Sequence, residues 1–469
     1  MIRPGAVALA LASLVAGCSF SLPARAPDEA PARKAKSKPR ATSTRVYVSV
    51  VDGDRNRVVR RAVVAIGRRA HRVGPRGIAT LRVRRPARLP VTAWARGYNP
   101  RTVRMSFKRK RWVTVRLYRR ALQWPMYGAN AARTQAHAAI GVRPPFRRVW
   151  SRTIDSLIEF PAVVSDGVAY IANYRGVVRA ISMRSGEVVW RRATPNGKMA
   201  ASPAVVGDQL VVHGMDGHIW VLDRWSGRVR WRIAIGSPVE SSPIVRNGID
   251  YFGAWNGNVY ALDLRRRRIV WRYRSGHKIT SSAALAGRTL YIGDYGGRLL
   301  ALKSATGRLR WSRAVNGRVY GTPAVAAGRV FVPSSTGNSL TAFSTRGRFL
   351  WRVTTGGYVY SSPAVWAGRV FFGSYDGLFY SVSARRGRTL WRVPAGGPVS
   401  GAAVVVAGVA YAGSTANRIT GVDARTGRVL LRFPHGEYVP VSGNGGRLLL
   451  HGYSRLYAVE ARQRSLANR

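Results

Sequence analysis

Tryptophan recurs along most of this chain at a nearly constant spacing, and this repeat limits the folds that the chain can adopt. The series has seven members, and its intervals differ by no more than one position: Trp150, Trp190, Trp231, Trp271, Trp311, Trp351 and Trp391. A repeat of about 40 residues with four β-strand patterns per unit is typical of the blades of a β-propeller. We therefore expect an all-β repeat domain over residues 121–461, with these tryptophans packed between its blades.

The repeat around Trp391 shows how one unit is built. Residues 361–365 open the innermost strand, and residues 369–373 form the second strand. A tight Asp-Gly turn at 376–377 leads into the third strand, because glycine adopts a positive φ at no steric cost. Residues 389–393 form the outer strand, which carries Trp391. Each unit is therefore predicted to be a four-stranded antiparallel sheet.

The number of units follows from counting the innermost strands. Eight can be counted, and they begin near Pro161, Pro203, Pro243, Ala283, Pro323, Pro363, Ala403 and Ser442. The eighth unit lacks an outer strand, because its third strand ends near Glu460 and no fourth pattern follows. Residues 147–151 form an outer strand that precedes the first unit. Pairing this strand with the eighth unit closes the ring without an open sheet edge, which predicts an eight-bladed β-propeller.

A different β pattern precedes the repeats, over residues 44–120. Val46, Val48 and Val50 alternate with other residues, and further short runs are separated by glycine and proline. This alternation predicts a small N-terminal β-sandwich. The Gly-Ile-Ala turn at 77–79 and the Ala-Arg-Gly-Tyr segment at 95–98 resemble the carboxypeptidase-regulatory-like, transthyretin-like modules of exported proteins. The resemblance implies a spacer or a protein-binding module rather than a catalytic domain.

The N-terminal segment, 1–18, resembles a bacterial lipoprotein signal peptide. An apolar run over residues 5–15 leads to Val-Ala-Gly and then Cys18, as in a lipobox whose cysteine becomes lipidated. The run is too short to span a bilayer as a helix, and an ordinary cleaved signal peptide is the alternative. We expect a protein on the extracytoplasmic side of the cell membrane, at the cell surface or in the periplasm, anchored by lipid on Cys18. A disordered basic tether over 19–43 would follow, and 462–469 would form a C-terminal tail.

The net charge of the chain is extreme. Lys and Arg number 78 against 19 Asp and Glu, which gives a formal charge of +59. Such a field attracts anionic partners, so a membrane surface or an anionic wall polymer is a candidate partner. The alternative is that the arginines reflect genome composition and have no binding role. No nucleic acid partner is expected, because export removes the usual substrate and the aromatic and basic residues are predicted on opposite faces.

Several motifs of the repeat domain resemble PQQ-like repeats. They are the Trp-Pro-Met-Tyr-Gly segment at 124–128, the Ser-Ser-Pro-Ala-Val strand starts, the Tyr-Ala-Leu-Asp segment at 260–263 and the Thr-Gly-Arg-Val-Leu segment at 426–430. The layout is similar to the eight-bladed lipoproteins of the BamB-like group. The resemblance implies a non-catalytic extracytoplasmic lipoprotein whose propeller is a scaffold for envelope proteins, in cell-envelope protein assembly or organisation.

Quinoprotein dehydrogenases share this repeat, so a PQQ-dependent dehydrogenase-like quinoprotein is an alternative function. Its larger members place a disulfide of adjacent cysteines against the quinone, whereas this chain has only Cys18. They also hold calcium with several oxygen ligands, and the acidic residues here are few. His213, His218 and His277 show no metal-ligand spacing. We therefore expect no enzyme, no catalytic residue, no cofactor and no metal. A binder of anionic envelope polymers is a further alternative.

The loops of a four-stranded blade emerge alternately on the two faces of the disc. Arginines dominate the turns of one face, in the loops from first to second and from third to fourth strand. Aromatic and acidic residues gather on the other, and nine of them form the candidate partner-binding face: Glu159, Tyr174, Glu240, Trp255, Tyr295, Tyr320, Tyr360, Tyr375 and Tyr453. Tyrosine and tryptophan anchors dominate interface energetics. The alternative is that these aromatics only cover sheet edges.

Overall fold

The computed structural model describes residues 43–462, except 68, 85–87, 107–111 and 195–196. All of them belong to one compact unit, Ser43–Arg469. Cys18, most of the predicted tether and all but the first residue of the predicted tail lie outside the described residues. Within the described ranges, no helix is long and apolar enough to cross a membrane.

The N-terminal domain consists of two β-sheets around one core. Strands β1 to β7 are Ser43–Asp52, Val63–Ile66, Arg69–Arg72, Ile78–Arg84, Arg88–Trp94, Arg101–Ser106 and Trp112–Leu117. One sheet has the order β4-β1-β7 and the other β3-β2-β5-β6. Val46, Val48 and Val50 point into the shared core and are fully buried. The alternation of β1 thus buries one face of its sheet, as the predicted sandwich requires.

The propeller begins after a short 3-10 helix, Arg120–Leu122. Two strands precede the first complete blade, β8 (Ala136–His137) and β9 (Phe146–Thr153). Blades 1 to 4 then follow in sequence. Blade 1 is β10 to β13: Val163–Ser165, Val168–Ala172, Val177–Ser182 and Val188–Ala193. Blade 2 is β14 to β17: Ala204–Val206, Gln209–His213, His218–Asp223 and Val229–Ala234. Blade 3 is β18 to β21: Ile244–Arg246, Ile249–Gly253, Asn258–Asp263 and Arg268–Arg274. Blade 4 is β22 to β25: Ala284–Ala286, Thr289–Gly293, Arg298–Lys303 and Leu309–Ala314.

Blades 5 to 8 complete the ring. Blade 5 is β26 to β29: Ala324–Ala326, Arg329–Ser334, Ser339–Ser344 and Phe349–Thr354. Blade 6 is β30 to β33: Ala364–Trp366, Arg369–Gly373, Leu378–Ser383 and Thr389–Pro394. Blade 7 is β34 to β37: Val404–Val406, Val409–Ser414, Arg418–Asp423 and Val429–Phe433. Blade 8 takes β38 to β40 from the end of the chain: Val441–Gly443, Leu448–His451 and Arg455–Ala461.

The ring closes as the sequence predicts. β9 supplies the outer strand of blade 8, pairing antiparallel with β40 from Thr153 opposite Arg455 to Phe146 opposite Ala461. This pairing ties the beginning of the repeat domain to its end and gives both terminal strands a hydrogen-bonded neighbour. The all-β class and the eight-bladed propeller are therefore confirmed.

The innermost strands are shorter than predicted. In blade 6 the strand begins at Ala364, not at 361, because Pro363 has no N–H to donate to a ladder. The residues before the strand form a loop whose hydroxyls bind neighbouring blades. Ser362 Oγ accepts the N–H of Thr322 at 2.9 Å, and Ser242 Oγ accepts the N–H of Ser202 at 3.0 Å. Both bonds link equivalent positions of neighbouring units and hold the centre of the ring together.

A β-bulge precedes the tryptophan position in the outer strand of each blade. The register of the outer pair shifts at the same place in all eight blades, so the pattern is part of the repeat. The residue paired with the tryptophan is small in most blades, for example Ala301 opposite Trp311 and Ser381 opposite Trp391. A small partner leaves room for the indole between blades.

The indole also reaches the next blade. Trp351 donates a hydrogen bond to the carbonyl of Ala384 at 3.3 Å and lies on Gly387 in the following turn. The same pair of contacts is made by Trp150, Trp190, Trp271, Trp311 and Trp391. The blade that follows Trp231 differs, because Arg267 stands in the turn with a φ of 56° where the other turns have glycine. Trp231 packs on the core between blades 2 and 3.

A non-repeating segment, residues 124–137, crosses the centre of the ring. We call it the axial segment. Its backbone bonds to the innermost strands of blades 1, 2, 4, 5, 6 and 7, where the blade residues are Val164, Val205, Leu285, Val325, Val365 and Val405. Arg133 is fully buried within it and donates to the carbonyls of Ser242, Pro243 and Ala283, at 2.9 to 3.0 Å. One buried cation thereby joins blades 3 and 4 to the segment.

The N-terminal domain covers part of the predicted basic face. Asn99 donates to Asp166 Oδ1 at 2.8 Å, and the Arg101 guanidinium lies 5.4 Å from the Trp225 ring centroid. Arg224 belongs to one of the arginine-rich turns predicted on that face, but it is buried and paired with Asp166. The face is therefore not a continuous basic surface at blades 1 and 2.

Two glycine variants in blade 6 test the indole contact. Gly387 and Gly368 have φ values of 73° and 74°, so alanine at either carries the same backbone cost of about 1 kcal/mol. A Cβ at Gly387 would lie 2.7 Å from the Trp351 ring, whereas nothing lies within 4 Å of one at Gly368. We expect Gly387→Ala to lower the unfolding free energy by about 1–3 kcal/mol more than Gly368→Ala in denaturant titrations. Equal losses would contradict the contact.

Candidate functional site

One position of the repeat converges on the propeller axis. It lies in the loop before the innermost strand, and five residues of successive units occupy it: Glu240, Thr280, Tyr320, Tyr360 and Ser400. All five line a single cavity of about 40 Å³, together with Glu159 and Tyr438. Tyr127 of the axial segment also lines this cavity and donates to Ser362 Oγ at 3.1 Å. We call this cavity, between the loops and the axial segment, the cup.

Two carboxyl groups share one tyrosine in the cup. The Tyr320 hydroxyl lies 2.7 Å from Glu240 Oε1 and 3.2 Å from Glu159 Oε1. A phenol has one proton to donate. When Tyr320 donates to Glu240, its contact with Glu159 is favourable only if Glu159 is protonated and donates to the phenol oxygen. The geometry therefore fits one ionised and one protonated carboxyl group.

Burial favours the same protonation state. Desolvation, with the neighbouring Glu240 charge as a smaller contribution, raises the pKa of Glu159 from 4.5 to about 7. Burial also raises the pKa of Glu240, against the hydrogen bonds from Tyr320 and Trp255 and the charge of Lys278. It raises the pKa of Tyr320 as well, so the phenol keeps its proton. At neutral pH the cup is thus close to gaining a second negative charge.

Aromatic rings surround the carboxyl groups on one side. Trp255 Nε1 donates to Glu240 Oε2 at 3.0 Å. The Lys278 ammonium lies 3.3 Å from the Trp255 ring centroid and 5.2 Å from that of Tyr295. This cation–π contact shows that the rings already attract a positive group beside the cup.

A cluster of tyrosines lies on the other side of the cup, at its opening to solvent, which we call the mouth. The Tyr360 ring centroid lies 5.3 Å from that of Tyr320 and 5.0 Å from that of Tyr375, and Tyr358 packs against both Tyr360 and Tyr375. Tyr358 and Tyr375 are 46% and 37% exposed, so the cluster presents rings to solvent. We call Tyr358, Tyr360 and Tyr375 the tyrosine rim.

The structure brings together seven of the nine residues of the predicted face. Glu159, Glu240, Trp255, Tyr295, Tyr320, Tyr360 and Tyr375 form the cup and its surroundings. Tyr174 and Tyr453 lie further out, on the two sides of the loop that carries Glu159: the Tyr174 N–H donates to Leu157, and the Tyr453 carbonyl accepts from Ile158. The Tyr453 side chain is 52% exposed.

Several residues of the site were not predicted from the sequence. Thr280 and Ser400 could have been found, because they lie one repeat after Glu240 and Tyr360 and occupy the same position in their units. Tyr358 lies two positions before Tyr360 and carries no repeat signal. Tyr127 and Arg133 belong to the axial segment, whose path across the ring has no counterpart in the repeat.

The described residues contain no group of three His, Cys, Asp or Glu side chains arranged to hold a metal ion. His213 and His451, the fully buried histidines, are held by the protein itself. His213 bonds to Asp250 at 2.8 Å and to the carbonyl of Ser241 at 2.6 Å. Burial lowers the pKa of His451 to about 4, so this imidazole remains neutral in the core.

These features define an eight-bladed propeller with a plugged axis and an acidic, aromatic cup. A family model described as outer membrane protein assembly factor BamB matches residues 147–254, 174–316, 255–357 and 334–464. Together these segments cover about two thirds of the chain. The chain therefore belongs to this family.

Individual relatives agree on the fold. Outer membrane protein assembly factor BamB of Bordetella pertussis is 29% identical over 97 residues, which is 21% of this chain and a quarter of that protein. The crystal structure of BamB from Moraxella catarrhalis superposes with a TM-score of 0.58 at 18% identity, over 67% of this chain and 99% of that one. The crystal structure of quinohemoprotein alcohol dehydrogenase from Comamonas testosteroni superposes with a TM-score of 0.62 at 15% identity, over 74% of this chain and 82% of that one. The fold is thus common to an assembly factor and to a dehydrogenase, and does not distinguish between them.

The residues on the axis do not fit a quinone with a calcium ion. The cup has a volume of about 40 Å³, whereas pockets for small organic ligands and cofactors occupy about 300–1,000 Å³. The axial segment occupies the ring centre on the inner side of the cup. The two carboxyl groups of the cup are bridged by Tyr320 and do not provide the several oxygens that calcium requires.

The protonation of Glu159 predicts a pH-dependent stability. An acid whose pKa is raised in the fold stabilises below its unfolded pKa and loses that contribution as pH rises through the folded value. We expect Glu159→Gln to unfold like wild type near pH 5 and to be more stable by roughly 1–2 kcal/mol at pH 8.5. Glu187→Gln, an exposed residue on the opposite face, is the control. A Glu159→Gln effect that is equal at both pH values would contradict the assignment.

Proposed function

We propose that this protein is a non-catalytic, extracytoplasmic scaffold that binds envelope proteins through the cup and the tyrosine rim. The observation that carries the proposal is the convergence of seven aromatic and acidic residues, drawn from blades 1 and 3 to 6, on one mouth at the axis. Aromatic residues that are already packed lose little entropy on binding and are frequent interface anchors. The exposed rings of Trp255, Tyr358 and Tyr375 provide a surface for a protein partner.

A role in cell-envelope protein assembly or organisation is part of the proposal. It is supported by the family description and by the name of the Bordetella pertussis relative, of which the matching segment covers a quarter. The two-sheet N-terminal domain adds a second surface. We propose that it is a carboxypeptidase-regulatory-like spacer, because Asn99 and Arg101 attach it to blades 1 and 2 on the face away from the cup.

The absence of catalysis is also proposed, against the quinoprotein alternative. Its support is the size of the cup and the bridging of its carboxyl groups by Tyr320. Stoichiometric quinone binding together with dye-linked oxidation of an alcohol or a sugar would establish the alternative and overturn this part of the proposal.

Lipid anchoring rests on Cys18 and the apolar run before it. Two or more acyl chains give stable membrane attachment. We expect the full-length protein in the membrane fraction of the expressing bacterium, and Cys18→Ala in the soluble extracytoplasmic fraction. Metabolic labelling with a fatty acid should mark the wild type and not Cys18→Ala. Unchanged fractionation together with absent labelling would contradict lipidation and favour another form of attachment.

The binding proposal is tested by recovering partners from detergent-solubilised membranes with the full-length protein. We expect one or more stoichiometric envelope proteins with the wild type. The double variant Tyr360→Ala/Tyr375→Ala should reduce recovery at least tenfold, since losing two anchors costs about 2 kcal/mol or more. Arg385→Ala/Arg386→Ala changes exposed residues of the opposite face and is the matched control.

The same experiment distinguishes the anionic-polymer alternative. Arg385, Arg386 and Arg388 line one surface groove with Arg369, and binding there would be screened by salt. The proposed face would be overturned if partner recovery is lost in Arg385→Ala/Arg386→Ala and at high salt but is unchanged in Tyr360→Ala/Tyr375→Ala.

A further inference from the structure

The inside of the cup has an unsatisfied hydrogen-bonding group as well as charge. Thr280 is 3% exposed and lines the cavity, and among the described residues no group lies in hydrogen-bond geometry with its Oγ1, although the Tyr295 hydroxyl is nearby. A buried hydroxyl without a partner costs free energy. The carboxyl oxygens of Glu159 and Glu240 already contact Tyr320 and Trp255, but each carboxylate oxygen has a further lone pair. With Thr280 Oγ1 they give the cavity acceptors for an entering donor.

Among the residues that the structure describes, no cationic side chain fills the cup. The described residues that line the cavity include no lysine or arginine. Lys278 lies outside it, over the Trp255 ring. This arrangement contrasts with the rest of a chain that carries a formal charge of +59, where many carboxylates have arginine partners, for example Asp294 with Arg298 and Glu460 with Arg447. Glu159 and Glu240 are joined to each other through Tyr320 instead.

We propose that the cup receives one lysine or arginine side chain from an exposed segment of the protein partner. The inference rests on the proposed function and names the chemistry that its site recognises. The cationic head would contact Glu240, Glu159 and Thr280 Oγ1, while the aliphatic part of the side chain would pass the rings of Tyr360 and Tyr438 at the mouth.

The size and walls of the cup favour a single organic cation. One water needs about 10–15 Å³ of cavity, so about 40 Å³ admits an ammonium or guanidinium head and little more. Tyrosine rings attract such groups through their π-faces. Because the whole protein is strongly positive, we expect the basic residue to lie in an otherwise neutral or acidic segment.

Binding is coupled to a proton. A cation entering the cup favours the ionised form of Glu159, whose proton is otherwise shared with Tyr320. The charged and titratable groups around Glu159 come from several loops. They are Glu240, Tyr320, Tyr127 and Tyr360 within the cup, Tyr438 and Glu437 from the loop before blade 8, Lys278 beside Trp255, and Arg318 beside Tyr295. We therefore expect affinity to rise from pH 6 to pH 8 and a proton to be released near pH 7.

The test uses a defined probe, the N-acetylated pentapeptide Gly-Gly-Lys-Gly-Gly amide, with the arginine peptide beside it. Peptides carrying Nε-acetyl-lysine or norleucine at the central position are the controls. Ligand-observed NMR titrations of the full-length protein in detergent should show binding of the basic peptides, at least tenfold weaker binding of the controls, and affinity that increases with pH.

Three variants locate the binding. Glu240→Gln should weaken the lysine peptide at least tenfold, and Thr280→Val, which keeps the shape of the side chain, should weaken it several-fold. Glu187→Gln, on the opposite face, should leave it unchanged. If Glu240→Gln proves unstable, Thr280→Val and the pH dependence of peptide binding test the inference instead.

The outcomes separate this inference from the proposed function. Equal binding of lysine and norleucine peptides, or no binding, would overturn the cup inference while partner recovery through the tyrosine rim could stand. Specific peptide binding that needs Glu240, with no envelope protein recovered from membranes, would support the cup and contradict the scaffold.

Discussion

The structure depends on the contact between each outer-strand indole and the blade that follows it. A four-stranded sheet with both faces apolar cannot remain exposed, so each blade needs a neighbour on each side. The indole of Trp351 lies on Gly387 and bonds to the carbonyl of Ala384, which fixes both the distance and the tilt between blades. Repeated at six of the eight junctions, this contact helps to bring the first outer strand back to the last blade. The loops before the innermost strands are then forced to meet at one point on the axis.

That convergence explains how a repeat can create a non-repeating site. The equivalent loop position of successive units holds Glu240, Thr280, Tyr320, Tyr360 and Ser400, which differ in charge, size and hydrogen bonding. The five residues occupy equivalent backbone positions in their units, but their side chains differ and all line the same cavity. The Tyr320 hydroxyl contacts Glu240 from the loop before blade 3 and Glu159 from the loop before blade 1. Two acids placed around one phenol fit a state in which one carboxyl group is ionised and the other is protonated.

The sequence was sufficient for the blades because their signals are local and recur. The spacing of about 40 residues between tryptophans, the glycine turns and the alternation of apolar residues predict where the strands lie. The missing outer strand of the last blade indicates how the ring closes. The cup was only partly predictable: seven of the nine residues of the candidate face lie together in and around it, whereas Thr280, which occupies the same repeat position as Glu240, was not among the predicted residues. The path of the axial segment could not be derived, because its partners, from Val164 to Val405, are spread from blade 1 to blade 7. Likewise, Arg224 of blade 2 is paired with Asp166 of blade 1, which also accepts from Asn99 of the N-terminal domain, and these partners are distant in sequence.

We propose that partners bind at the mouth of the cup rather than on the arginine-rich face. Site-specific photo-cross-linking in living cells tests it most directly, with a photoreactive amino acid in place of Tyr375 in one strain and of Arg386 in another. We expect a discrete cross-linked envelope protein from position 375 and none from position 386, and loss of that product when Glu240→Gln is added. A cross-linked protein from position 386 alone would contradict it.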